Sequence, residues 1–155
     1  MSLLERAIAI AVEGHHGQRD KAGQPYVLHP LRMMLRQRGE AERMAAVLHD
    51  VVEDAGWTLE RLAEEGMPRE VVAAVDCLTR RASETYEAFV DRLMPNPIAR
   101  AVKLADLEDN MNLTRIGTLA DKDWERMQRY HRAWHLLTAA EAEERASRTA
   151  LGETR

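Results

Sequence analysis

The sequence lacks several features that mark particular environments. Its single cysteine, Cys77, excludes an intrachain disulfide and any zinc site built from several cysteines. No apolar run approaches the ~20 residues that a membrane-spanning helix needs. The N-terminal stretch MSLLERAIAIAVEG carries Glu5 and Arg6 within its apolar part and has no small-residue cleavage site of the signal-peptide type. We therefore expect a soluble, cytoplasmic protein.

No strong excess of one charge is present either. The 26 acidic and 22 basic residues give a net charge of -4, so we expect neither a nucleic acid nor a membrane as partner. A content of 45% hydrophobic and 31% charged residues is typical of a globular protein. The length of 155 residues predicts one domain over residues 1–150, with residues 151–155 as a frayed terminus. The sequence leaves the formation of a homo-oligomer as an open alternative.

Aromatic residues make up 5% of the chain, alternating strand-like runs are absent, and Ala, Leu, Arg, Glu and Met dominate. This texture predicts an all-α bundle of seven to eight helices, with Thr58 and Ser83 as N-caps. The longest break in the first half is the segment GQRDKAGQPYVLHP, which contains two glycines and two prolines. The predicted helices cover residues 2–16, 30–38, 40–54, 59–66, 68–81, 84–94, 98–112 and 121–147.

The stretch AAVLHDVVED, residues 45–54, combines an imidazole and three carboxylates with an apolar helical pattern. His49 and Glu53 are four residues apart, as are Asp50 and Asp54, so each pair lies on one helical face. Carboxylates at this spacing repel one another unless a cation or basic groups neutralise them. For this segment taken alone, a polar helical face that points to water is the favoured interpretation.

Two other segments offer further ligands. His29 precedes Pro30 where the long loop meets a helix, and Asp106 lies within the apolar part of VKLADLEDNM. Together with the pair His49-Asp50 they form a set of two imidazoles and two carboxylates, which suits Mn²⁺, Fe²⁺ or Zn²⁺.

A metal held by four protein ligands keeps positions open for water and for a substrate oxygen. Such a metal activates water at neutral pH and polarises a phosphoryl group. Glu53 and Asp54, one helical turn further along, are predicted to orient that water and to transfer protons.

The segments HHGQRDKAGQPYVLHP, LHDVVEDAGWTLERL and VKLADLEDNM resemble three segments of the hydrolase domain of the RelA/SpoT family, within the HD-domain metal-dependent phosphohydrolases. The resemblance covers about residues 7–137 and implies an all-α HD fold. It also implies removal of the 3′-pyrophosphate of (p)ppGpp and, since the chain ends after this domain, a standalone hydrolase. The residues that match the family's Mn²⁺ ligands are His29, His49, Asp50 and Asp106.

The resemblance also assigns roles around the substrate. Glu53 and Asp54 match the pair implicated in catalysis, and Asn110 matches an asparagine near the sugar. Lys21 is retained as a candidate for a phosphate or the base, and Arg19 is a further candidate.

The departures from the family pattern lie on the substrate side. Asp20 stands where the family has an arginine that packs against guanine, and Ala22 stands where it has a serine. Leu107 and Asp109 stand where it has basic residues. Two alternatives therefore stay open: the same metal centre acting on another nucleotide or a phosphorylated metabolite, and a degenerate HD module that only binds a ligand.

Overall fold

The computed structural model describes residues 1–152, and within that range the chain forms nine α-helices and one short 3-10 helix, with no named strand. The predicted all-α class is confirmed. The elements are α1 (Leu3–Gly14), α2 (Leu28–Arg36), α3 (Glu40–Leu48), α4 (Val51–Asp54), α5 (Leu59–Glu64), α6 (Arg69–Leu78), α7 (Tyr86–Leu93), α8 (Pro97–Asn110), the 3-10 helix (Leu113–Arg115) and α9 (Asp121–Ala150).

The C-terminus and the N-caps follow the sequence signals in part. Of the predicted frayed end, residues 153–155 lie outside the described residues, while the Leu151 N–H still bonds the Ser147 carbonyl. Thr58 caps α5 as expected. Ser83 does not cap α7, because Thr85 takes that place and accepts from the Ala88 N–H.

The predicted helix 40–54 is interrupted, and this corrects the sequence reading. Helix α3 ends at Leu48, α4 starts at Val51, and Asp50 adopts φ -103° and ψ -5°. The His49 ring Nδ1 lies 2.8 Å from the Ala46 carbonyl. It competes for the oxygen that the Asp50 N–H would bond in a continuous helix. This break divides one predicted helix into α3 and α4, which accounts for nine described helices where at most eight were predicted.

Helix α3 occupies the centre of the bundle and packs against α1, α2, α6 and α8. Residues 44–48 are all buried, so the second half of α3 has little surface that faces solvent. Helix α9 packs against α8, and its buried apolar residues are Met127, Ala133 and Leu137. Among the helices of residues 1–152, none combines the length and apolarity that crossing a bilayer requires.

Candidate metal centre

The four predicted ligands come from three parts of the bundle: three of them form one cluster, and Asp106 lies beside its two histidines. His29 lies on α2, His49 and Asp50 form the junction between α3 and α4, and Asp106 lies on α8. The Nε2 atom of His29 lies 3.2 Å from Asp106 Oδ1. The Nε2 atom of His49 lies 2.9 Å from Asp50 Oδ2 and 4.0 Å from Asp106 Oδ1. One ligand atom each from His29, His49 and Asp50 lies within 4.8 Å of the others, which makes a possible metal site.

Both imidazoles are oriented by bonds at their other nitrogen. His49 Nδ1 donates to the Ala46 carbonyl at 2.8 Å, and His29 Nδ1 lies 2.6 Å from Asp109 Oδ2. A neutral ring that donates from Nδ1 presents an unprotonated Nε2, which is the form that ligates metals. The donor set of nitrogen and carboxylate oxygen therefore fits a borderline or hard divalent cation.

The centre concentrates negative charge that needs a counter-charge. Burial lowers the pKa of His29, but hydrogen bonds to Asp106 and Asp109 raise it to about 9. Burial raises the pKa of Asp50, and the stronger combined effect of His49 and Tyr26 brings it to about 2. Lys103 Nζ donates to Asp106 Oδ2 at 2.7 Å. The protons on the histidines and the ammonium of Lys103 thus offset the negative charge of the carboxylates. A bound divalent cation would replace the histidine protons in this role.

Asp109 supports the candidate site in a way that the sequence reasoning did not find, since it was read as a departure on the substrate side. It is 7% exposed, and its carboxylate bonds His29, accepts two 2.9 Å bonds from Arg32 and lies 3.1 Å from Arg115. Its position three residues after Asp106 on α8 was the available signal, because residues i and i+3 share a helical face.

Replacing Asp109 by Ala is expected to weaken the binding of a divalent metal by roughly 10–100-fold, because a carboxylate on the far nitrogen fixes the ring orientation of a ligating histidine. Calorimetric titration of metal-free protein measures the effect. Glu108→Ala is the control, since Glu108 bonds Arg36 and Trp134 away from the ligands. Equal affinities of the two variants would contradict the role of Asp109.

A cavity of about 420 Å³ opens beside the candidate ligands His29, Asp50 and Asp106. Glu53 and Asp54 line it, and burial raises the pKa of both carboxyls, with the charge of Asp50 adding to the shift. Asn110 lines it as well, with its amide nitrogen donating to Asp106 Oδ1 at 2.7 Å. The cavity has the size of a small-molecule site.

The long loop forms the outer wall of this cavity. Arg19 and Lys21 both line it, and Arg19 Nη1 donates to the Gly23 carbonyl at 2.8 Å. Burial lowers the pKa of Lys21, and the charge of Arg126 lowers it further. The structure thus places all five residues predicted for catalysis or substrate binding on the cavity wall: Arg19, Lys21, Glu53, Asp54 and Asn110.

Asp20, the departure in the loop, has its charge partly offset. Asp20 Oδ1 accepts the N–H groups of Ala22 and Gln24 at 2.9 Å each, which closes the turn. Asp20 Oδ2 lies 3.8 Å from Arg115 Nη1. The sequence reasoning missed Arg115, and it missed the contribution of α9, from which Arg126 lines the cavity.

Comparison with known proteins places this chain in a family. No protein-family model matches the sequence. A probable GTP pyrophosphokinase of Mycobacterium leprae is 34% identical over 128 residues, which cover 74% of this chain and 16% of that protein. A guanosine-3′,5′-bis(diphosphate) 3′-pyrophosphohydrolase of Aquifex aeolicus is 31% identical over 120 residues, or 70% of this chain and 17% of that protein. The chain belongs to the RelA/SpoT-related HD domains.

This RelA/SpoT-related domain spans about one sixth of the length of the two curated relatives. A solved structure, described as a metazoan ortholog of SpoT that hydrolyzes ppGpp, superposes with a TM-score of 0.71 at 21% identity. The match covers 99% of this chain and 98% of that one. At this identity it supports the RelA/SpoT-related fold and no more.

Proposed function

We propose that this domain hydrolyses the 3′-pyrophosphate ester of (p)ppGpp and that Mn²⁺ is its cofactor. Water adds to phosphorus, the bond to the 3′-oxygen breaks, and the products are GDP or GTP and pyrophosphate. The observation that supports this most is the meeting of His29, His49, Asp50 and Asp106 beside a cavity of about 420 Å³. The name of the Aquifex aeolicus relative supports the substrate.

The residues on the cavity wall have distinct roles in this proposal. Glu53 and Asp54 hold the attacking water and take its proton, since burial raises the pKa of both carboxyls and so makes them stronger bases. Lys21 and Arg19 bind phosphate oxygens, and Asn110 contacts the sugar. A divalent metal, when bound, supplies an activated water and polarises the phosphoryl oxygen.

A second candidate is the same chemistry on a different nucleotide, and Asp20 is the observation that favours it. A carboxylate cannot stack on a base as a guanidinium does, so guanine is not selected by that contact. We propose a small nucleotide as the partner in either case, with a cytoplasmic location.

The test is an assay of pyrophosphate release by metal-free protein that is reloaded with Mn²⁺. We expect release from ppGpp that stops when a chelator removes the metal, and slower release from the adenine counterpart. Equal rates for the two bases would favour the second candidate. Metal uptake without hydrolysis of either nucleotide would favour a ligand-binding module, and hydrolysis that persists in chelator would contradict the proposed metal centre.

A further inference from the structure

A second, smaller cavity of about 170 Å³ adjoins the candidate metal centre. Asp50, Glu53 and Asp106 line both cavities, so the two spaces share a wall at the candidate metal centre. Liquid water occupies about 30 Å³ per molecule, so the smaller space has room for a phosphate group. The other residues on its wall are His49, Leu78, Arg80, Tyr86, Phe89 and Lys103.

Two cations face this small cavity. Lys103 Nζ donates to Asp106 Oδ2 at 2.7 Å and lies 5.1 Å from the centre of the Phe89 ring. An ammonium has three N–H donors, and the structure assigns this one a single hydrogen-bond acceptor among residues 1–152.

Arg80 is the second cation, and it lies at the exposed side of the cavity. Its Nε and Nη2 atoms donate to the Glu84 carbonyl at 3.3 and 3.0 Å. Within the described part of the chain its Nη1 atom has no hydrogen-bond acceptor. The guanidinium is therefore held in place by one carbonyl while part of it stays available to a ligand.

We propose that the small cavity is a subsite for the terminal phosphate of a diphosphoryl group whose inner phosphate lies at the metal centre. This inference rests on the proposed function and specifies it, because the subsite distinguishes a 3′-diphosphate from a 3′-monophosphate. Asp50, Glu53 and Asp106 repel a free anion. The subsite is therefore occupied only when a divalent cation offsets these carboxylates.

The neighbouring residues Arg80 and Arg81 provide a matched pair of variants. Both are exposed, but Arg80 alone of the two lines the cavity. The probes are inorganic pyrophosphate and orthophosphate, titrated calorimetrically into Mn²⁺-loaded protein. Arg80→Gln is expected to weaken pyrophosphate binding roughly tenfold, the effect of one lost charge-assisted hydrogen bond, and to leave orthophosphate binding unchanged. Arg81→Gln is expected to change neither affinity.

The outcomes separate this inference from the proposed function. Unchanged pyrophosphate affinity in Arg80→Gln, equal losses for both anions, or no pyrophosphate binding by the wild-type protein would each overturn the subsite. If the wild-type protein binds pyrophosphate through Arg80 but hydrolyses no nucleotide, the subsite stands and the proposed function fails. If it hydrolyses ppGpp and Arg80→Gln behaves as wild type, the proposed function stands and the subsite fails.

Discussion

Replacing Glu53 by Gln is expected to lower kcat for nucleotide hydrolysis by roughly 10²–10⁴-fold, the usual contribution of a general base. Glu53 borders both cavities, and burial followed by the charges of Asp50 and Asp54 raises the pKa of its carboxyl. An amide has nearly the same shape but takes no proton. The loss should therefore appear in kcat, with KM and Mn²⁺ affinity close to those of the wild type.

The measurements are steady-state kinetics and calorimetric metal titration of the same preparations. Glu64→Gln on α5 is the control, since that glutamate is exposed and borders neither cavity. A wild-type kcat in Glu53→Gln would remove Glu53 from the mechanism. A parallel loss of metal affinity would instead make it a ligand. Asp54→Asn, measured in the same way, separates the two neighbouring carboxylates.

Replacing Arg100 by Met is expected to lower the free energy of unfolding by about 2–4 kcal/mol. Removing one partner of a buried ion pair costs about 3–5 kcal/mol, and the partial exposure of the two carboxylates here reduces that figure. Arg100 is 5% exposed and donates to Glu141 at 2.9 Å, to Glu144 and to the Met94 carbonyl at 2.9 Å. It therefore ties the end of α9 to α8.

Urea unfolding followed by circular dichroism measures this difference. Arg148→Met is the matched control, because Arg148 also pairs with Glu144, at 3.3 Å, but its side chain is 44% exposed. An exposed pair of this kind contributes about 0–1 kcal/mol. Similar losses in the two variants would show that burial of Arg100 is not what stabilises the contact with α9.

The helical architecture was predictable because periodic apolar faces and caps act locally. Met44, Val47 and Leu48 are buried on α3 as their spacing indicates. The break at 49–50 was not predictable from propensity, since it depends on the His49 ring reaching the Ala46 carbonyl. A side-chain bond to the backbone interrupts this helix without glycine or proline.

The candidate ligands could be named from sequence, but the groups that support them could not. His29 and Asp109 are 80 residues apart and join through a 2.6 Å contact that only the fold creates. The same holds for Asp20 and Arg115, which bring the loop and the segment after α8 together. Asp20 and Asp109 each replace a basic residue of the family pattern, and from the sequence each adds an acidic charge without a visible partner. In the structure, Asp20 and Asp109 share Arg115 as a partner.

The adjacency of His49 and Asp50 in the chain also has a consequence for the candidate centre. His49 and Asp50 are bonded neighbours, so a displacement of α3 carries both ligand groups together and leaves the distance between them almost unchanged. The centre therefore has three independent anchors rather than four, on α2, at this junction and on α8. The geometry of the four candidate ligands therefore depends on the relative positions of only three helical segments.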